Sequence, residues 1–151
     1  MSEIIEEEIR DKCIKEIKEA YENIAYLTHP SYLIRVILIS RDGMPIVDFI
    51  PENEAPTDLE EMVRSSDGDQ LAAFISSIFT QSSNLSQQTM GLNITNHDLV
   101  TEKGVTIVLQ GVVGLNGNIV YLGFWVDPKY GHEIIFRKGA SKLRARIESI
   151  L

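Results

Sequence analysis

The chain has 151 residues, 44% of them hydrophobic, which is enough for one domain whose buried core needs neither disulfides nor a metal. Its net charge of −8 disfavours nucleic acid and anionic lipid as primary partners, because clustered Lys and Arg hold both. The opening stretch is acidic and never apolar for more than two residues, so it reads as neither signal peptide nor membrane span, and the single cysteine, Cys13, fits a reducing, cytoplasmic setting.

Over residues 2–28, Ile5, Ile9, Cys13, Ile17, Tyr21 and Ile24 recur three or four apart, which predicts one face of an amphipathic helix. Glu6, Glu7 and Glu8 complement its dipole, Glu8 with Lys12 and Asp11 with Lys15 are favourable pairs, and Pro30 forbids continuation. Residues 1–29 are therefore read as an N-terminal helix ahead of a body at 30–151. Residues 32–40 (YLIRVILIS) form a nearly unbroken apolar run that suits a strand covered on both faces. Arg41-Asp42-Gly43 turns the chain, and residues 46–50 return as a second strand. The connection at 51–67 is an acidic insert, with Thr57 and Glu60 as a capping box for a short helix carrying Leu59, Met62 and Val63. Asp67 then caps a long helix, with Gln70 three residues on. Leu71, Phe74, Ile75, Ile78, Phe79 and Leu85 form its apolar stripe, and Gly91 ends it.

Three strands are expected at 94–102, 105–113 and 119–126, separated by Glu102-Lys103-Gly104 and by Asn116-Gly117. Asp127-Pro128 is read as the start of a last helix bearing Tyr130, Ile134, Leu143, Ile147 and Ile150, with Gly139 as a point of interruption. The order helix, two strands, long helix, three strands, helix defines an α+β fold, a five-stranded antiparallel sheet between helices of the profilin-like outline.

Catalysis needs a nucleophile, acid or base held beside a partner, and His29, His97, His132 and Cys13 have no such spacing; the histidines read as exposed or turn residues. Adjacent pairs such as His97-Asp98 point apart, so no metal site is expected. No phosphate-cradling glycine motif occurs, so neither nucleotide nor any other cofactor is expected. Trp125 sits in an apolar strand and reads as core or interface.

The first hairpin, Leu38-Ile39-Ser40-Arg41-Asp42-Gly43-Met44-Pro45, resembles the S-R-D-G-x-P turn of the Roadblock/dynein light chain family. The helix starting Gln70-Leu71-Ala72-Ala73 and the entry Asp127-Pro128-Lys129-Tyr130-Gly131 extend the likeness, which covers about residues 32–151. The acidic insert is longer than the family's usual connection. The resemblance implies a non-catalytic homodimer or heterodimer with a related Roadblock subunit, its sheets joined edge to edge. Such a dimer acts as scaffold or regulator for a small Ras-like GTPase, or as a motor light chain-type adaptor. A ligand-sensing domain, with a small molecule between sheet and long helix, is the alternative from a different class, and a small hydrolase a weaker third.

Two surfaces follow from charge. No Asp, Glu, Lys or Arg occurs from Gln70 to His97, where a chain that is 24% charged places about six or seven if one helix face meets water. A dimer interface is therefore expected at Phe74, Ser77, Ile78, Gln81, Asn84, Leu85 and Gln88, with Leu99 on the neighbouring strand. Six basic and two acidic residues lie in 129–151, and Arg137, Lys138, Lys142, Arg144 and Arg146 are candidates for binding an acidic partner or the chain's own insert.

Overall fold

The computed structural model describes residues 7–151; the expected helical positions Ile5 and Glu6 lie outside them. Helix α1 (Glu7–Leu27) is followed by strands β1 (Leu33–Ser40) and β2 (Pro45–Phe49), a short helix α2 (Asp58–Arg64) and the long helix α3 (Gly68–Met90). Strands β3 (Asn96–Val100), β4 (Thr106–Val113) and β5 (Ile119–Val126) come next, then a single 3-10 turn (Pro128–Tyr130) and helix α4 (Glu133–Ile150). The five strands form one antiparallel sheet in the order β2-β1-β5-β4-β3. The α+β outline expected from the sequence is the one found.

Side-chain alternation sends the strands' apolar residues to both faces. Val36, Leu38, Val108, Val112, Leu122 and Phe124 face α1 and α4 and meet Cys13, Ile17, Ile24, Phe136 and Leu143. Ile37, Ile39, Leu109, Tyr121 and Trp125 face the other way, toward Ala72, Ile75 and Phe79 of α3 and Leu59 and Val63 of α2. Burial of each Ile, Leu or Phe contributes about 1.5–3 kcal/mol, whereas an exposed pair such as Glu8–Lys12 at 3.6 Å contributes a few tenths. Helix α1 is thus held by its apolar stripe and not by its charges. Burial also pushes the Cys13 thiol up to about 11, with the nearby Glu16 carboxylate adding to it, so this cysteine is a core residue without thiolate character.

Several expectations need correction. The last helix does not start at Asp127-Pro128. Asp127 caps only the 3-10 turn, accepting from Lys129 N, and Gly131 then runs extended because its Cα lies against the Tyr32 ring, where a Cβ would collide. Helix α4 starts six residues later and passes through Gly139 without a break. A side chain there would meet Ile24 at 2.7 Å, so this glycine lets α1 and α4 cross closely. Ile134 is exposed and not part of the buried face. In α3, Ala72, Ile75, Phe79 and Ser86 point inward, while the predicted stripe members Phe74 and Leu85 are 49% and 63% exposed. The capping box on α2 is half formed. Thr57 Oγ1 accepts from Glu60 N at 3.1 Å, but the Glu60 carboxylate is buried and takes Asn53 Nδ2 at 2.7 Å, and Asn53 reaches on to Ser31 Oγ.

Arg35, only 2% exposed within the apolar strand β1, ties these parts together. Its Nε and Nη2 donate to Asp48 Oδ1 and Oδ2 of β2 at 2.9 and 2.6 Å. Its Nη1 donates to the carbonyls of Val63 and Ser66 at 2.9 and 2.8 Å. Desolvating a guanidinium costs several kcal/mol, and only this nearly complete set of acceptors offsets it. Gly68 opens α3 directly over the pair, where any Cβ would strike the Asp48 carboxylate. Replacing Arg35 by Met is expected to lower the unfolding free energy by about 3–5 kcal/mol, since Asp48 and two carbonyls lose their partner. A double Arg35→Met/Asp48→Leu variant should recover part of the loss. Denaturant midpoints measure both, and a change below about 1 kcal/mol in the single variant would show that the cluster is not structural.

Candidate functional site

The charge-free helix and the free edge of the sheet meet on one side of the molecule. At about 100° per residue around α3, Ser76 marks one flank, over the first hairpin, because its hydroxyl donates to the Arg41 carbonyl at 2.9 Å. Phe74, Ile78 and Leu85 fall on the opposite flank, toward β4 and β3, and the exposed Ser77, Gln81, Asn84 and Gln88 continue the surface outward. Leu99 of β3 faces the same side and is partly covered by the α3-side core. The structure therefore brings the eight sequence-predicted residues onto one contiguous surface. Phe74 and Leu85 contribute to it as exposed apolar groups.

Among the described residues strand β3 pairs with β4 only, from Asn96↔Gln110 to Val100↔Thr106, so its other side is the free edge of the sheet beside that patch. The opposite edge differs. Strand β2 begins at Pro45, which has no N–H, and its Phe49 ring is covered edge-on by Tyr21 of α1, with centroids 5.6 Å apart.

His97 lies at the seam of helix and edge strand. It is neither exposed nor in a turn, contrary to the expectation. Its Nε2 is 2.9 Å from Ser82 Oγ, and its ring stands edge-on to Phe79, centroids 5.0 Å apart. Burial lowers its pKa below the ordinary 6.5. His29, in contrast, stacks on Tyr130 in the loop after α1, and His132 is exposed at the start of α4. No group of three or more His, Cys, Asp or Glu among the described residues is placed to hold a metal ion.

The basic residues of α4 divide into two sets. Arg137 is spent internally, bonding Asp98 of β3 at 2.5 Å and Glu133 at 3.3 Å, so it fastens the helix to the edge strand. Arg146 reaches Glu16 of α1 at 3.2 Å. Lys138, Lys142 and Arg144 form no ion pair among the described residues, and none of the five meets the acidic insert. The insert is held by Arg35 and Asn53, contacts that a count of acidic residues does not foretell.

The solved structures that resemble the chain define its class. A Roadblock/LC7 domain from Streptomyces avermitilis matches with a TM-score of 0.56 at 10% identity, over 84% of this chain and 91% of that one. The chain has the Roadblock/LC7 fold. Within that fold, MglB structures match almost its full length. The gliding protein MglB of Thermus thermophilus gives a TM-score of 0.74 at 11% identity over 99% of this chain and 95% of its own. Myxococcus xanthus MglB gives 0.70 at 13% identity, over 96% and 90%. A structure described as MglB with tetrameric arrangement gives 0.74 at 11%, over 99% and 94%. At such identities the likeness is one of fold, and it takes in α1 as well as the body. Neither a family model nor a curated protein matches the sequence.

The seam histidine has a consequence for stability. Below pH 6.5 the unfolded chain takes up a proton that folded His97 resists, so its contribution is fully present above 6.5 and is lost as pH falls through the lower folded value. The thermal midpoint should therefore fall further between neutral and mildly acidic pH in the wild type than in His97→Asn. Parallel curves for the two proteins would show that the seam does not resist protonation.

Proposed function

We propose that this protein is a non-catalytic, dimeric scaffold or regulator of a small Ras-like GTPase, assembled through α3 and the free edge of β3. The fold supports the class of role, since Roadblock/LC7 and MglB proteins share it. The observation that carries the dimer is the exposed, charge-free flank of α3 lying beside the free edge of the sheet. In most surface helices water-facing positions carry charge, and depletion of charge at the centre of a patch is the compositional mark of an interface. A two-fold axis there would pair β3 with its copy and cover Phe74, Ile78 and Leu85 in one step. The partner subunit is an identical chain or a related Roadblock subunit. No helix among the described residues is long and apolar enough to cross a membrane, which suits a cytoplasmic regulator.

The ligand-sensing alternative needs a pocket between the sheet and the long helix. Ala72, Ile75 and Phe79 fill that space, and the Phe79 ring stacks on Tyr121 with centroids 4.3 Å apart. The assembly reading is the better supported.

Replacing Gln81 by Glu sets two like charges near the proposed axis, and light scattering should show the dimer shifting toward monomer while circular dichroism stays unchanged. A wild-type protein that is monomeric at high micromolar concentration, with no related subunit available, contradicts the dimer. The GTPase role is tested separately. The protein should co-purify with a small GTPase from its native cell, and should not bind fluorescent GTP in a saturable way, because no phosphate-cradling motif is present.

A further inference from the structure

On the far side of the sheet from α3, a groove of about 960 Å³ runs between α1 and α4. The two helices are antiparallel, because Ile24 crosses Gly139 while Glu16, a little over two turns earlier, meets Arg146, about two turns later. Ala20, Ile24 and Leu143 contribute an apolar floor. The walls have opposite sign: Glu16 and Glu19 stand on α1, and Lys138, Lys142 and Arg146 stand on α4. The Arg146–Glu16 pair closes one end, whereas Glu19, Lys138 and Lys142 have no ion-pair partner among the described residues. The other end is apolar and open. Tyr26 is 89% exposed and Leu27 59%, opposite Ile135.

We propose that this groove is a self-association surface, on which α1 of one protomer seats on α4 of a second copy about a two-fold axis running along the groove. Two face-to-face arrangements have two-fold symmetry. An axis across the groove would lay α1 on α1 and set Glu19 against its own copy. An axis along the groove keeps each residue at its height and exchanges the walls, so Glu16 and Glu19 of one copy face Arg146 and Lys142 of the other, and Tyr26 and Leu27 meet the Ile135 end. An acidic helix from another protein would satisfy the α4 wall and be repelled by the α1 wall, and a basic helix the reverse. A second copy carries both signs in the matching order. The surface is independent of the α3 and β3 interface, which lies on the opposite face of the sheet.

The test measures the mass of the full chain by light scattering at low and moderate salt. Wild type should show one doubling step that Glu19→Lys or Lys142→Glu removes, with circular dichroism unchanged, and that salt weakens. Mixing the two single variants in equal amounts should restore it, because both contacts across the two-fold axis are then opposite in sign, and the double variant Glu19→Lys/Lys142→Glu should restore it alone. Gln81→Glu should leave this step intact, which separates it from dimerisation through α3. Masses unaffected by the single reversals would overturn the proposal. So would a step that is lost in both variants and recovered neither by mixing nor by the double variant, because Glu19 and Lys142 then do not face each other across the axis.

Discussion

A single buried cation, Arg35, organises the side of the molecule on which the proposed interface lies. Arg35 is buried near one end of β1, where an unpaired guanidinium would be prohibitively costly, so its position requires acceptors on several sides. Asp48 comes from the neighbouring strand, and the carbonyls of Val63 and Ser66 come from the end of α2 and the segment behind it. These bonds draw the acidic connection across the end of the sheet and leave room only for a glycine, Gly68, at the first position of α3. The direction in which α3 leaves that point sets which of its flanks overlies the hairpin and which is left open beside β3. The exposed apolar flank is thus a consequence of the Arg35 cluster as well as of its own residues.

Much of this architecture was legible in the sequence because it rests on local rules. The apolar run at 32–40, the Asp42-Gly43 turn with Gly43 at φ +88°, the Asp67 cap of α3 and its left-handed Gly91 terminus are each specified by a few neighbouring residues. Absence of charge from 70 to 97 is likewise a property of the chain itself. The parts that were not legible depend on residues distant in sequence. Arg35 in an apolar strand gives no sign of its partners 13 to 31 positions away. Gly131 looks like a tolerable helical residue until Tyr32 is placed against it, and Gly139 looks like a break until Ile24 is. Helical periodicity placed Phe74 and Leu85 in one apolar stripe with the buried Ile75 and Phe79, because it cannot tell a stripe that covers the sheet from one offset to its side.

Charge counting failed in a similar way in the basic C-terminal helix and in the acidic insert. The basic residues near the C-terminus read as one patch, yet Arg137 serves to anchor β3 and Arg146 to anchor α1. The first of these matters for the proposed interface, since Asp98 belongs to the edge strand and its bond to α4 holds that edge in place from the opposite face of the sheet. Glu60 reads as the capping-box partner of Thr57, but its carboxylate is buried and takes Asn53. In both cases composition describes the segment correctly while tertiary contacts decide which charges remain available to a partner. The acidic insert is therefore better understood as a structural brace with an acidic outer surface than as a free loop.

The proposed dimer requires that the outer edge of β3 be paired in solution. Hydrogen exchange of the backbone amides of Asn96–Val100 reads this directly, because those facing away from β4 have no strand partner among the described residues. Slow exchange at high micromolar concentration that gives way to fast exchange on dilution, in parallel with the loss of dimer mass, is the predicted result. Outward-facing β3 amides that exchange as freely as an exposed loop at every concentration would contradict it.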